Sequence, residues 1–187
     1  MITDPVPARG KKLEEFKKSD AMKSLALPRD DRFQASAIES ALSSESTAVV
    51  RASCRAFLAE AARFYAVPQP KVRVLAARPL KVREAGSTEL FGDYELKTAV
   101  IRVWMRTAVR RQVTSFGTFF STLCHEFCHH LDLHLFGFPT SLHTRGFYER
   151  TAVLYHHCRG TPLRPLVWLP LSRGRFRIDW ARMRRGS

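Results

Sequence analysis

The sequence predicts an α+β domain in which a small three-stranded sheet packs on one central helix and a second helix follows. Three observations lead there. Apolar residues recur at three-and-four spacing over residues 46–66 and again over 115–135, the pattern of a helix with one buried face. Between these segments lie short extended runs rich in Val and Ile, where side chains alternate between polar and apolar. A chain of 187 residues with 45% apolar residues is long enough for one hydrophobic core and short for two.

Residues 1–30 mix Lys11, Lys12, Lys17, Lys18 and Lys23 with Glu14, Glu15 and Asp20 and contain few large apolar groups, so they read as a flexible basic tail. Residues 31–160 read as the folded domain. Within it, Val50, Cys54, Phe57, Leu58 and Ala61 form the buried stripe of a helix over about 46–66. Pro68 and Pro70 stop that helix, because proline lacks an N–H and restricts the residue before it.

Lys71 to Leu75 alternates as a half-buried strand, and two further runs follow. Thr88 to Leu96 is broken at Gly92-Asp93, and Ala99 to Met105 carries Val100, Ile101, Val103 and Trp104. Lys97-Thr98 joins them as a closely spaced antiparallel pair, which completes the three strands. Phe116, Phe119, Phe120, Leu123, Phe127 and Leu131 then mark the central helix, ended by Gly137 and Pro139. The second helix is expected over roughly Leu142 to Cys158, with Phe147, Ala152, Val153 and Leu154 packing inward. Residues 161–187 form a Pro- and Arg-rich extension, and no internal repeat is present.

Thirty-one Lys and Arg against seventeen Asp and Glu leave a formal charge of +14, which favours polyanionic partners and says nothing about fold. No run reaches the roughly 18 to 20 apolar residues of a membrane span, and the N-terminus has no apolar signal core. A cytoplasmic monomer away from membranes is the expectation. Cys54, Cys124, Cys128 and Cys158 contain no CxxC pair, which argues against a zinc ribbon and against a disulfide framework. Reduced, packed thiols are expected.

The central helix carries His125-Glu126-Phe127-Cys128-His129, an HExxH pattern. Residues four apart share a helix face with Cβ atoms about 5–6 Å apart, so two imidazoles can converge on one tetrahedral ion, for which zinc fits. Glu126 is rotated away from the ligand face, where it reaches water beside an ion more readily than the ion itself. This combination suits peptide hydrolysis, which needs a polarised carbonyl, a nucleophile at neutral pH and a general base to move its proton.

A catalytic zinc site takes three protein ligands, so a third donor is expected downstream. His143, just past the loop, is the first choice and Glu149, on the second helix, its competitor. His130 and His134 point away from the ligand face, and His156 and His157 read as core or surface groups. Asp132 is a candidate acceptor for a ligand imidazole. Tyr148 and Tyr155 are candidate oxyanion donors for which packing is the simpler role.

His125-Glu126-Phe127-Cys128-His129 followed by His143-Thr144-Arg145-Gly146-Phe147 resembles the SprT-like metalloproteases, whose HExxH helix is followed by a loop and a His-Gly-x-x-Phe type motif. The likeness extends over residues 46–158, taking in Val67-Pro68-Gln69-Pro70, Val72 to Leu75 and Gly92-Asp93-Tyr94. It implies a zincin-like peptidase core with His143 as third ligand, Phe147 packing on the same side, and proteolysis of DNA-bound proteins. Thr144 stands where that motif has Gly, and no Cys-rich ribbon follows Cys158. Related small zincins that cleave regulators often use a Glu as third ligand, the role open to Glu149.

Arg173, Arg175, Arg177, Arg182, Arg184 and Arg185 are interleaved with Phe176 and Trp180 and opposed only by Asp179. Arginine offers bidentate phosphate contacts and the aromatics offer stacking faces, so single- or double-stranded DNA is a candidate partner beside the protein substrate. The functional expectation is a zinc endopeptidase recruited by DNA. The alternatives are a nucleic-acid-binding module whose zinc site is structural or degenerate, and a regulator-cleaving small zincin.

Overall fold

The structure, a computed structural model, describes residues 1–28, 35–83 and 86–185. Six helices and a three-stranded mixed sheet form an α+β fold among these residues. The helices are α1 (Lys11–Ala21), α2 (Ala35–Ser43), α3 (Thr47–Phe64), α4 (Phe116–His134), α5 (Arg145–Arg159) and α6 (Trp180–Arg185). The sheet consists of β1 (Lys71–Ala77), β4 (Gly92–Glu95) and β5 (Val100–Arg106). Two separate hairpins pair β2 (Leu80–Arg83) with β3 (Gly86–Glu89) and β6 (Trp168–Pro170) with β7 (Phe176–Ile178).

Helix α3 begins where the Ser46 side chain accepts from Val49 N–H, relieving one of the unpaired donors of the first turn, and Ser115 does the same for α4 through Thr118 N–H. The sequence pattern places both helices to within a residue or two. β5 is the central strand: it runs parallel to β1, with Val72 opposite Ile101 and Val74 opposite Val103, and antiparallel to β4, with Tyr94 opposite Ile101. Ile101, Val103 and Met105 point into a core shared with Phe57 and Leu58 of α3 and Phe120, Leu123, Phe127 and Leu131 of α4. At roughly 1.5–3 kcal/mol for each such buried side chain, this apolar face is what lets α4 carry polar residues on its other side.

Four expectations change. Residues 1–28 are part of the domain: α1 buries Phe16 and Ser19 against α5, and Ile2 forms a bridge with Arg177 of β7. The tail boundary drawn at residues 30 and 31 lies outside the described residues. The C-terminal extension also folds back, with Ile178 of β7 buried in the core. The second helix starts at Arg145 with Thr144 as its N-cap, so His143 lies on the preceding loop and not on the helix. The run expected over Thr88 to Leu96 is divided between the end of β3 and all of β4.

Candidate metal centre

The four-residue step on α4 brings the rings of His125 and His129 to 4.9 Å between centroids. His143 completes a triangle, 5.0 Å from the His125 ring and 4.8 Å from that of His129. Among the described residues these three form the one group of His, Cys, Asp or Glu side chains placed to hold a metal ion, their donor atoms within 4.8 Å of one another. His125 Nε2 lies 3.1 Å from His143 Nε2. Nitrogens held tetrahedrally at about 2.0–2.1 Å from zinc would stand on the order of 3.3 Å apart, so the spacing suits such an ion.

Each ring must present a bare nitrogen to a metal, and the surroundings of two rings select that tautomer. His129 Nδ1 lies 2.7 Å from Ser141 Oγ, which in turn donates to Asp132 Oδ2 at 3.0 Å, and Asp132 Oδ1 accepts from Arg150 at 2.8 Å. This chain is fully buried at Asp132 and Arg150. With the serine hydroxyl spent on the carboxylate, its oxygen accepts from Nδ1–H and leaves Nε2 free for an ion. Asp132 thus reaches the His129 imidazole through Ser141, a residue that sequence reasoning missed. His143 Nδ1 faces Asp4 Oδ2 at 3.4 Å.

His125 is different, because its Nδ1 is buried without a hydrogen-bond partner. An unpaired buried polar atom costs about 1–3 kcal/mol, which an apolar side chain at that position would avoid. Packing therefore does not account for an imidazole here, whereas a role for Nε2 does. Burial, with His143 nearby, pushes the His125 imidazole down to about 3, and burial likewise holds His129 below its usual range. Neutral rings are the form that ligates.

The floor under all three imidazoles is Phe147, whose ring centroid lies 4.9 Å from His125, 4.5 Å from His129 and 5.2 Å from His143. Thr144, which replaces the glycine of the resembled motif, is fully buried. Its hydroxyl accepts from Phe147 N–H to cap α5 and meets Ser19 Oγ at 3.0 Å.

Glu126 lines the same cleft as the three histidines, a space of about 390 Å³ whose other walls include Leu90, Gly92, Asp93, Tyr94, Leu96, Thr140 and Ser141. Burial and the nearby Asp93 raise its carboxyl to about 8, a range in which one group can both take and give a proton near neutrality. Gly92 permits this close approach of β4 to α4: a Cβ there would lie 2.5 Å from Thr122 Cγ2 and 2.9 Å from Glu126 Oε1. The break at Gly92-Asp93 in the strand pattern is the one sequence signal of that contact. Asp93 itself is clamped by a bidentate pair with Arg102 on β5, at 2.7 and 2.6 Å.

The remaining candidates have other work. Glu149 accepts from the Trp168 indole at 3.1 Å and stands outside the histidine group. His130 is fully buried between Pro68 O at 2.7 Å and the Tyr94 hydroxyl at 2.9 Å, a structural bridge from α4 to β4. His134 packs on His130, and His156 Nδ1 meets Thr161 Oγ1 at 2.9 Å. The Tyr148 hydroxyl donates to Ile2 O and that of Tyr155 accepts from Arg159. All four cysteines are buried thiols outside any disulfide, and burial raises Cys54 and Cys128 to about 12, so these two stay protonated.

Arg173, Arg177, Trp180 and Arg182 are exposed and Arg175 half-exposed along the β6–β7 hairpin and α6, on the folded C-terminal element. For Arg184 and Arg185 the structure describes only the backbone, at the end of α6. No helix is long and apolar enough to cross a membrane among the described residues. Compared with protein-family models, curated proteins and solved structures, the chain matches none.

Proposed function

We propose that this chain is a zinc-dependent endopeptidase of the kind implied by the SprT-like resemblance. The observation that carries the reading is the meeting of three imidazoles from two separate segments with a buried carboxylate in one open cleft. His125, His129 and His143 would hold the ion through Nε2, and zinc there would supply Lewis acidity for a carbonyl and for water. Glu126 takes the proton of the attacking water and passes it to the leaving amine, one carboxyl serving both steps. Phe147 and Ser141 keep the rings oriented while this occurs.

An extended peptide fits the cleft because β4 is an edge strand of the sheet and Gly92, Asp93 and Tyr94 line the cavity. The free edge of a strand offers backbone donors and acceptors for a further strand, with Leu90 and Leu96 beside it as apolar contacts. A structural zinc site would be closed by four protein donors, whereas three form the group among the described residues, which favours the enzyme over a binding module. The solvated arginines of the β6–β7 hairpin and α6 then act as a tether that concentrates the enzyme near nucleic acid.

Metal analysis and casein cleavage, with and without single-stranded DNA, test this reading. About one zinc per chain is expected, with cleavage lost on chelation and faster with DNA at low salt. Glu126→Gln should keep the metal and lose about 10²–10⁴-fold in rate, as removal of a general base does. Full activity in that variant would end the mechanism, and a metal-free wild-type protein would end the whole proposal.

A further inference from the structure

The loop that carries His143 has little structure of its own. Residues 141–144 belong to no helix or strand, and Ser141 sits at φ 41°, a left-handed conformation that is strained for a non-glycine residue. Such a loop keeps one geometry only when neighbours over-determine it. Here α4 holds the Ser141 side chain through His129 and Asp132, and further neighbours come from residues 1–21, more than a hundred positions earlier in the chain.

Asp4 pairs with His143 along the backbone: its N–H donates to His143 O at 2.8 Å and its Oδ2 accepts from His143 N–H at 2.8 Å. The same Oδ2 faces the ring nitrogen Nδ1 at 3.4 Å. Glu15 Oε1 accepts from Thr140 N–H at 2.9 Å, from the Thr140 hydroxyl at 2.7 Å and from Ser141 N–H at 3.1 Å. Asp20 takes the N–H and the guanidinium of Arg145 at 2.9 and 2.5 Å. Gly146 lets α1 come this close, since a Cβ there would strike the carbonyl oxygen of Ser19. Of the four acidic residues in this otherwise basic segment, only Glu14 makes no such bond to the loop among the described residues.

From this arrangement we propose that residues 1–21 are a working part of the metal centre and that Asp4 is the positioning residue for His143. The inference rests on the metal-centre reading above. A carboxylate at Nδ1 selects the Nδ1–H tautomer, turns the Nε2 lone pair toward the cluster and makes that nitrogen a stronger donor. Two ligands come ready-placed from α4, so the third decides how tightly an ion is held. The docked N-terminus sets that third position.

The test uses the full-length chain as wild type, Asp4→Asn and Glu14→Gln. Zinc affinity is measured by chelator competition, the visible spectrum of the Co²⁺ form reports geometry, and the melting curve of chelator-treated protein reports folding. Asn is isosteric and can still accept from His143 N–H, so the fold is expected to survive. Zinc affinity in Asp4→Asn should fall about 10–100-fold with a changed Co²⁺ spectrum, while Glu14→Gln, an equal change of charge on the same segment, matches wild type. Asp4→Asn binding zinc within threefold of wild type overturns the positioning role and leaves the metal centre standing. A wild-type chain that takes up neither zinc nor cobalt overturns the metal centre, and the positioning role with it.

Discussion

Helix α4 and the loop of residues 140–144 bring their histidines to one cluster of imidazoles, yet they are held by different physics. On α4 the separation of His125 and His129 is a property of the helix itself, maintained by its own hydrogen bonds and by Phe120, Leu123 and Phe127 in the core. On the loop, His143 is placed by Asp4, Glu15 and Asp20, none of which is near it in sequence. One half of the site is local and the other is assembled. A helix-borne pair should therefore survive insults that abolish the third ligand.

The largest expected effect comes where the two halves share a support. Phe147 is fully buried and touches all three rings, so Phe147→Ala should cost about 3–5 kcal/mol, lowering the melting temperature and the metal content together. Loss of metal with an unchanged melting curve would show that the ring orients ligands without supporting the fold.

A smaller and more selective lesion is Gly146→Ala. Its Cβ meets carbonyls of Ser19, Asp20 and Met22, so α1 must move, at a cost of about 1–3 kcal/mol for overpacking. Hydrogen exchange should quicken at residues 11–21 and 140–145 and stay slow in α4. Equal loss of protection in α4 would mean that the two halves are not separable.

The last effect appears only on acidification and concerns the bridge behind α4. Burial lowers the His130 imidazole to about 4, against 6.5 for a free one, so the unfolded chain takes up this proton first. Its contribution to stability is complete above about pH 6.5 and is lost as the pH falls from there toward 4. Chelator-treated wild type should therefore melt progressively lower across that window, with a shallower dependence in His130→Asn. Parallel curves for the two proteins would remove His130 from the account.

Much of this molecule could be read before folding. The helices α3 and α4, the β4–β5 pair and the step from His125 to His129 are all written in patterns shorter than twenty residues, where periodicity reports which face is buried. That Glu126 lines the cleft beside the pair follows from its place in the motif, and that His143 joins the cluster follows from residue type and its distance past a loop. Residues 1–28 misled because a segment with so few apolar groups looks unable to fold, and its anchors are carboxylates whose partners lie across the chain. Ser141 carried no signal: a loop serine acquires its link between His129 and Asp132 only when Arg150 and α1 fix the loop.

By itself the sequence determined the α+β class, the helix that presents two imidazoles and a carboxylate, and the excess of positive charge, because each depends on neighbours in the chain or on composition alone. Tertiary structure decided that His143 and not Glu149 joins the pair, that the N-terminus belongs to the site, and which nitrogen of His129 and His143 faces inward. Those outcomes turn on distances of about 3 Å between residues far apart in the chain, and such distances exist only once the core has brought the segments together.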